Sequence, residues 1–395
     1  MNIIFFDDQP GLFLPLTYTR PIAKLRVGIL TIEEKWINHF KQQEILASVS
    51  YFTQDHLVHK YPLIEKEENV FINSRFFPTN KLVDFIINNL IAGEAIMFNG
   101  SMVAAKCTLD QYRSASCYIK DYNESFISIE LTTITDLFTK NEAAIARDFQ
   151  LITGKSKSLA LNATNTVIGN NIFIEEGAKV EAAVLNSETG PIYIGKNAEI
   201  MEGSLVRGPF ALCEGGVLKM GAKIYGATTI GAYSKIGGEV TNSVIQDYSN
   251  KGHDGFLGNS IVGEWCNLGA DTNTSNLKNN YSEVKLWSYK NEQPENTGLQ
   301  FCGLIMGDHS KSGINTMFNT GTMVGVGSNI FGSGFPDKFI PSFSWGGANG
   351  FVDYKLDKMF EVAERMMSRR KVQLTAEDKA ILTAIFEMTA KYRHK

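Results

Sequence analysis

One histidine of the six in the chain lies in a setting that suits catalysis. His253 belongs to the glycine-rich run Ser249-Asn-Lys-Gly-His-Asp-Gly-Phe-Leu-Gly258, which interrupts a regular pattern of apolar residues. Loops that interrupt a rigid scaffold often carry functional groups. An imidazole titrates near neutral pH and can therefore take a proton from an amine nucleophile. We predict a general base at His253; the alternative is a histidine that only shapes a turn.

The pattern around this run repeats every six residues, which neither a helix (about 3.6) nor a strand (about two) produces. Large apolar residues occupy eight consecutive repeat positions: Ile194, Ile200, Val206, Leu212, Leu218, Ile224, Ile230 and Ile236. Sustained hexapeptides are typical of a parallel β-helix, whose apolar positions point inward. Of the 35 glycines, 30 lie between residues 161 and 350, where tight corners favour glycine. We predict a parallel β-helix over residues 160–350.

The segments on either side of the repeats have a different character. Residues 1–153 alternate apolar stretches with helical patterns, which indicates an α/β domain. Within it we expect strands at Asn2–Phe6 and Phe126–Leu131 and a helix at Ile32–Gln42. Residues 351–395 contain two amphipathic helical patterns, which we expect to cap the open end of the β-helix.

Composition excludes several classes of protein. With 38 Lys and Arg against 42 Asp and Glu, the net charge of −4 disfavours a general nucleic-acid binder. No apolar run reaches the roughly 18 residues of a membrane helix, and the first residues are acidic where a secretory signal would be basic. The five cysteines form no C-x-x-C pair, which favours free thiols in a reducing compartment. We therefore expect a cytoplasmic protein without a membrane segment.

The run around His253 resembles the acetyltransferase half of the bifunctional N-acetylglucosamine-1-phosphate uridylyltransferase/glucosamine-1-phosphate N-acetyltransferases. The resemblance includes Val262-Gly263, Asn267-Leu-Gly269-Ala and Thr272-Asn-Thr-Ser-Asn276. It implies a left-handed β-helix in which His253 takes a proton from a sugar amine that attacks acetyl-CoA. The family has tyrosine where this chain has Phe256, so one hydroxyl contact is missing or is supplied elsewhere.

The resemblance also assigns roles to further residues. Catalytic partners of the histidine are expected at Glu239 and Asn276, the latter at the oxyanion of the intermediate. Substrate contacts are expected at Asn267, Lys223 and Lys251. Coenzyme A is expected to lie along two later coils, with contacts at Gly313, Asn315, Gly325 and Ser328.

The run Pro15-Leu-Thr-Tyr-Thr-Arg20-Pro-Ile-Ala-Lys24-Leu resembles the opening loop of sugar-1-phosphate nucleotidyltransferases. This resemblance implies a divergent, shortened nucleotidyltransferase-like domain, with Arg20 and Lys24 as phosphate-binding cations and Mg²⁺ bridging the phosphates. The stretch Asp8-Gln-Pro-Gly-Leu12 stands where the family has G-x-G-T-R. No aspartate stands near Ile72-Asn-Ser-Arg75, where the family has its metal-binding aspartate, so the metal ligands are not assigned.

A bifunctional enzyme, with one activity in each domain, is the leading hypothesis from the sequence. The β-helix would acetylate an amino-sugar 1-phosphate (glucosamine 1-phosphate), and the N-terminal domain would couple the sugar phosphate to an NTP such as UTP. The resemblance further implies a homotrimer with sites between neighbouring subunits. Two alternatives remain: an acetyltransferase whose N-terminal domain only binds or regulates, and a structural β-solenoid without catalysis.

Overall fold

The computed structural model of the protein describes residues 1–154 and 156–393. Lys155 and the last two residues of the predicted C-terminal segment, His394 and Lys395, lie outside the described residues. The chain divides into two compact units. Unit 1 contains residues 1–13, 19–25 and 30–134, and unit 2 contains residues 14–18, 26–29 and 135–395. The helices between residues 136 and 153 are thus grouped with the β-helix.

Unit 1 is built on one six-stranded mixed sheet. In chain order its strands are Asn2–Phe6, Ser48–Phe52, Asn69–Asn73, Glu94–Phe98, Ser101–Cys107 and Tyr118–Ile119. Their order across the sheet is second, first, third, fifth, fourth and sixth, and the first three strands are parallel. The helices are Ile32–Gln42, Asn80–Asn88 and Leu109–Arg113, and single 3₁₀ turns span Pro10–Phe13, Ile22–Lys24, Asp55–Leu57 and Glu124–Phe126.

Local sequence explains the longest helix of unit 1. Thr31 and Glu34 form a capping box at the start of the helix Ile32–Gln42, because each side chain bonds the backbone N–H of the other residue. Trp36 and Phe40 lie on the buried side of this helix, and the predicted bounds are confirmed. The strand predicted at Phe126–Leu131 is wrong: this segment contains a 3₁₀ turn and only one isolated bridge, from Glu130 to Phe76.

Unit 2 is a parallel β-helix with three sheet faces, named A, B and C in the order in which each coil meets them. Face A contains Thr166–Ile168, Val184–Asn186, Leu205–Arg207, Lys223–Tyr225, Glu239–Thr241 and Phe256–Gly258. Face B contains Ile172–Ile174, Ile192–Ile194, Phe210–Leu212, Thr228–Ile230, Val244–Ile245, Ile261–Val262, Leu304–Met306, Thr322–Val324 and Phe339–Ile340. Face C contains Lys179–Val180, Glu199–Ile200, Val217–Leu218, Lys235–Ile236, Asn250–Lys251, Asn267–Leu268, Lys311–Ser312, Asn329–Ile330, Ser344–Gly347 and the antiparallel Gly350–Asp353.

The remaining elements of unit 2 do not belong to the three faces. A parallel pair, Asn273–Thr274 with Met317–Phe318, lies next to the last strand of face A. The segment between Thr274 and the face B strand Leu304–Met306 contains an antiparallel hairpin, Lys285–Ser288 with Gln293–Asn296. The helices are Asp136–Thr139, Asn141–Thr153, Leu356–Ser368, Ala376–Met388 and Ala390–Arg393, and one 3₁₀ turn spans Leu16–Tyr18.

The six-residue repeat describes the core of the β-helix correctly. All eight predicted inward residues from Ile194 to Ile236 are at most 3% exposed and belong to one continuous core. Stacking the coils therefore buries a column of aliphatic side chains, which is the main stabilising contribution in a solenoid. The predicted fold class, an α/β unit followed by a parallel β-helix and C-terminal helices, is confirmed.

Candidate functional site

The predicted base lies on a loop at the edge where the chain turns from face C to face A, named edge CA. The loop spans residues 252–255, between the strands that end at Lys251 and begin at Phe256. His253 is exposed on this loop. Gly255 has a φ of 118°, and a Cβ there would lie 2.3 Å from the Thr272 carbonyl oxygen. Only glycine fits this position. The backbone conformation at Gly255 therefore determines the path of the loop where it leaves the coil.

A buried ammonium group anchors the loop from inside the β-helix. Lys251 is 2% exposed, and its Nζ donates to the carbonyl oxygens of Gly237, at 3.1 Å, and of His253, at 2.8 Å. Burial lowers the pKa of Lys251 to about 8, while the carboxylates of Asp254 and Asp271 oppose that change. This placement does not fit the predicted direct substrate contact. Lys251 instead holds the backbone of the candidate base.

Face A presents two predicted residues, Lys223 and Glu239, in a row with Phe256 beside the loop. Lys223, Glu239 and Phe256 are Cα partners in adjacent strands, each at the start of its strand next to edge CA. The Glu239 carboxylate accepts a hydrogen bond from the Tyr225 hydroxyl at 2.5 Å, and this bond contributes most to raising the pKa of Tyr225 to about 12. The structure therefore gives Glu239 a tyrosine partner on the same face, which the sequence did not reveal.

The coils that follow His253 continue along the same edge. Asp271 N donates to the carbonyl oxygen of Asp254 at 3.0 Å, and Asn315 N donates to that of Ala270 at 2.8 Å. His253, the 270–271 corner and the 313–315 corner therefore follow one another along edge CA. Two of the predicted coenzyme A contacts, Gly313 and Asn315, lie on this strip.

The other two predicted coenzyme A contacts lie elsewhere. Gly325 is buried at the turn from face B to face C, where a Cβ would lie 2.3 Å from Ser342 N. Ser328 is 1% exposed; its N–H donates to Ser310 Oγ and its hydroxyl to the Pro341 carbonyl oxygen. Both residues build the corner of the coil. A direct contact with coenzyme A does not fit their burial.

The predicted oxyanion residue lies at the opposite end of face A, at the edge where the chain turns to face B, named edge AB. The Asn276 amide donates to Asn259 Oδ1 at 2.9 Å and borders Gly258 together with the tip of the Phe256 ring. The strand from Phe256 to Gly258 advances about 7 Å. Asn276 and His253 thus flank opposite ends of one strand, and the Phe256 ring lies on the surface between them.

Asn267, the remaining predicted substrate contact, points outward from face C. Its Cα partners in the sheet are Asn250 and Lys311. Arg370 donates to Asn250 Oδ1 at 3.2 Å, so the C-terminal segment reaches the same face. Burial lowers the pKa of Lys311 to about 8, and its Nζ donates to the His309 carbonyl oxygen at 2.7 Å. Asn267 therefore lies in a polar row on the far side of edge CA from Glu239.

Unit 1 has a second candidate site at the carboxyl ends of its parallel strands. Asp7 and Asp8 follow the first strand, and Asn73 and Arg75 lie at the end of the neighbouring third strand. The chain order around the first strand reverses here, which is where α/β sheets commonly bind ligands. Sequence reasoning missed these residues, although two adjacent carboxylates directly after a buried strand were a usable signal.

Asp8 and Arg75 form a closed ion pair at this site. Arg75 is 2% exposed, and its Nε and Nη2 each lie 2.7 Å from one carboxylate oxygen of Asp8. Arg75 Nη1 also donates to Glu130 Oε1 at 2.8 Å, and Asn73 donates to Asp8 at 2.9 Å. Bidentate arginine–carboxylate pairs of this kind are among the strongest hydrogen-bonded interactions in proteins. The guanidinium is thus used in holding the strand ends together.

Asp7 connects the predicted phosphate loop to the sheet. Its Oδ1 accepts a hydrogen bond from Ile22 N at 3.2 Å, and its Oδ2 accepts one from the Thr53 hydroxyl at 2.7 Å. Burial raises the pKa of Asp7 to about 6. Of the two predicted phosphate-binding cations, Lys24 pairs with Glu33 at 3.0 Å and Arg20 is 5% exposed. Neither presents an unpaired charge at an open surface.

The arrangement around Asp7 and Asp8 does not fit the Mg²⁺ site that the resemblance implies. Each of their four carboxylate oxygens accepts a hydrogen bond, and Arg75 neutralises Asp8. Among the described residues, no group of three or more His, Cys, Asp or Glu side chains could hold a metal ion. Within the same part of the chain, no helix has both the length and the apolar character that crossing a bilayer demands.

Together, the fold and the site define a parallel β-helix with an exposed loop histidine, joined to an α/β unit. Comparison with known proteins agrees with this class. A family model described as sugar nucleotidyl transferase matches residues 3–157. The resemblance to bifunctional sugar-1-phosphate nucleotidyltransferases and acetyltransferases is confirmed by curated relatives. Some of these are described as bifunctional protein GlmU and one as a bifunctional sugar-1-phosphate nucleotidylyltransferase/acetyltransferase.

Two relatives illustrate the similarity. The chain is 36% identical over 121 residues to the bifunctional protein GlmU of Methanocaldococcus jannaschii, which covers 31% of this chain and 27% of the relative. It is 26% identical over 208 residues to the bifunctional sugar-1-phosphate nucleotidylyltransferase/acetyltransferase of Sulfurisphaera tokodaii, which covers 51% of each chain. The chain thus spans about a quarter to a half of the length of these relatives.

Solved structures also align with part of the chain. The polySia-specific acetyltransferase NeuO matches with a TM-score of 0.30 and 15% identity over 53% of this chain and 99% of its own. The UDP-N-acetylglucosamine acyltransferase of Campylobacter jejuni matches with a TM-score of 0.24 and 14% identity over 58% and 96%. Scores this low carry no information about function.

Proposed function

We propose that the β-helix transfers an acetyl group from acetyl-CoA to the amine of an amino-sugar 1-phosphate, with glucosamine 1-phosphate as the expected acceptor. The observation that carries this proposal is the exposed His253 on a backbone-specified loop. Its carbonyl is held by a buried ammonium, and its neighbours Lys223, Glu239 and Phe256 form a row on face A. The similarity to bifunctional nucleotidyltransferase/acetyltransferases supports the acyl chemistry.

His253 would act as general base. The amine nitrogen attacks the thioester carbonyl carbon and forms the N–C bond while the imidazole takes its proton. The C–S bond then breaks, and the histidinium returns the proton to the departing sulfur. Lys223 would supply a cation for the sugar phosphate. Asn276 and backbone N–H groups would face the oxyanion from the other end of the strand.

We expect the active form to be a homotrimer in the cytoplasm, with each site shared between neighbouring β-helices. Two large apolar side chains are exposed on edge CA, Met220 at 71% and Ile314 at 70%. Along edge CA, Met220 lies two coils before the His253 loop and Ile314 two coils after it, so a second copy that buries both would also enclose the loop. Asn315, next to Ile314, would then lie where the neighbouring subunit and coenzyme A meet.

For unit 1 we propose nucleotidyl transfer from an NTP such as UTP to the sugar 1-phosphate, because the sugar nucleotidyl transferase model matches residues 3–157. A second candidate is a unit that binds or regulates without catalysis. The observation that favours it is the closed Arg75–Asp8 pair, in which both carboxylate oxygens of Asp8 already accept hydrogen bonds from the guanidinium. Pyrophosphate release from UTP and N-acetylglucosamine 1-phosphate separates the two candidates.

Release of free thiol from acetyl-CoA tests the β-helix proposal. With glucosamine 1-phosphate present, we expect continuous release of coenzyme A and formation of the N-acetylated sugar phosphate. No release across a panel of amino-sugar 1-phosphates would leave the structural β-solenoid as the better hypothesis. Sedimentation of a stable monomer would contradict the shared site.

A further inference from the structure

A cavity of about 530 Å³ opens at edge AB, whereas the His253 loop lies at edge CA. Its floor consists of the corner residues of three successive coils, Ala227, Asn242 and Asn259. The beginning of the helix Asn141–Thr153 and the loop of residues 298–301 form its sides. Small-molecule sites typically measure about 300–1,000 Å³, so this cavity has room for a sugar-sized ligand.

Hydrogen bonds hold the walls of the cavity in place, and those at Asn141 are buried. The Asn141 side chain accepts a bond from Gly28 N at 2.7 Å and donates to the Ala227 carbonyl oxygen at 2.9 Å, which fixes the helix start against the coil. On the other side, the Gln300 amide donates to the Tyr281 carbonyl oxygen at 3.1 Å. The cavity therefore exists without a ligand, which lowers the entropy cost of binding.

Three polar side chains at the cavity keep unused hydrogen-bonding capacity. Among residues 1–154 and 156–393, the Glu142 carboxylate accepts no hydrogen bond, and Nδ2 of Asn242 and of Asn259 has no acceptor. A carboxylate accepts and an amide N–H₂ donates, so together they complement hydroxyl groups, which do both. Phe138 and Phe301 also line the cavity, and the Phe301 side chain, which is 45% exposed, can offer an apolar surface to the C–H side of a pyranose.

The charge of the cavity selects among ligands. Of the lining residues, all within the described part of the chain, Glu142 is the sole charged one, and none is Lys, Arg or His. Phosphate and carboxylate groups are usually held by such cations, so an anionic ligand is disfavoured. We infer that the cavity is a second carbohydrate site, which binds an unphosphorylated hexose and prefers one whose free amine pairs with Glu142.

Such a ligand would influence face A. Asn259 lines the cavity, and its Oδ1 already accepts the hydrogen bond from Asn276. A sugar hydroxyl bound to Nδ2 would fix the Asn259 amide and with it the orientation of Asn276. An unphosphorylated sugar in the cavity would therefore act on the proposed acetyl-transfer surface indirectly, through Asn259.

Binding of three free sugars to the full chain tests this inference. Glucosamine, glucose and glucosamine 6-phosphate are titrated in saturation-transfer NMR and calorimetry. Phe301→Ala removes an exposed ring, and Glu142→Gln keeps the shape of the side chain without its charge. Arg147→Gln is the matched control, because Arg147 is exposed on the same helix but does not line the cavity. His253→Ala separates this site from the proposed acetyl-transfer site.

We expect glucosamine to bind more tightly than glucose, and glucosamine 6-phosphate to bind most weakly at this site. Glu142→Gln should weaken glucosamine binding about tenfold or more, and Phe301→Ala about threefold to tenfold. Arg147→Gln and His253→Ala should leave it unchanged. The inference is overturned if none of the sugars binds saturably, if neither cavity substitution changes binding, or if His253→Ala abolishes it. Equal binding of glucose and glucosamine would overturn the amine preference.

Discussion

Replacing Lys251 by methionine removes the buried ammonium group that holds the His253 loop. Methionine has a similar length and no charge, so the side chain can stay inside the β-helix. The substitution removes a buried ammonium but leaves the carbonyl oxygens of Gly237 and His253 without their donor. The first effect stabilises the fold and the second destabilises it.

The two effects have similar magnitudes near neutral pH. Lowering the pKa of Lys251 from 10.5 to about 8 corresponds to a cost of about 3 kcal/mol for the charged form. Each carbonyl left without a donor costs about 1–3 kcal/mol. The net change in the free energy of unfolding near pH 7.5 is therefore a small difference between larger numbers, and the dependence on pH is the diagnostic quantity.

The sign of that dependence follows from proton binding. The unfolded chain holds the Lys251 proton up to about pH 10.5, and the folded protein loses it above about pH 8. Stability from this group therefore rises with pH between 8 and 10.5 and is lost as the pH falls through 8. The wild type should gain about 3 kcal/mol across this window relative to Lys251→Met.

Urea unfolding followed by tryptophan fluorescence measures this difference, at one protein concentration and at several pH values from about 7.5 to 10.5. Comparing wild type with Lys251→Met cancels the contributions of other groups, including Lys311, whose pKa is also lowered. Lys179→Met is the control, since Lys179 is exposed on the same sheet, and it should show no such dependence. A constant difference between wild type and Lys251→Met across the window would refute the reasoning.

Three further predictions concern particular residues. Arg75→Met should destabilise unit 1 by about 3–5 kcal/mol, because it leaves the carboxylates of Asp8 and Glu130 without their cation. Thermal unfolding measures the loss, and an unchanged unfolding midpoint would contradict the closed ion pair. Gly255→Ala should raise the activation free energy of acetyl transfer by more than it lowers the free energy of unfolding, since the φ of 118° and the nearby backbone force the loop to move. Equal changes in the two free energies would show that the loop geometry does not matter. Asp7 holds its proton more tightly when folded, so its contribution to stability is present below pH 3.8 and is lost as the pH rises through about 6; Asp7→Asn should remove that trend from urea unfolding measured between pH 4 and 7.

Much of the β-helix could be predicted because its repeat is local. An apolar residue at every sixth position has to face the same interior, so the register from Ile194 to Ile236 determines which side chains are buried. The segment 126–131 shows the opposite case. Its apolar residues fit a strand, but within the described residues its only β-pairing is the isolated bridge from Glu130 to Phe76.

The candidate site could be predicted in part. The residue types around His253 indicate an exposed loop, and His253 is exposed. Lys223 and Glu239 follow only from the family resemblance, and the structure places them side by side on face A. The orientation of Lys251 and the burial of Ser328 could not be read from the sequence, because a turn of the coil decides whether a side chain points inward.

The coenzyme A release rate of His253→Ala tests the central claim most directly. It is compared with wild type and with His59→Ala, an exposed histidine of unit 1, at saturating acetyl-CoA and glucosamine 1-phosphate. Removal of a general base typically lowers kcat by about 10²–10⁴-fold, so we predict a loss of that size for His253→Ala and none for His59→Ala. A His253→Ala protein that is folded and retains the wild-type rate would contradict the account.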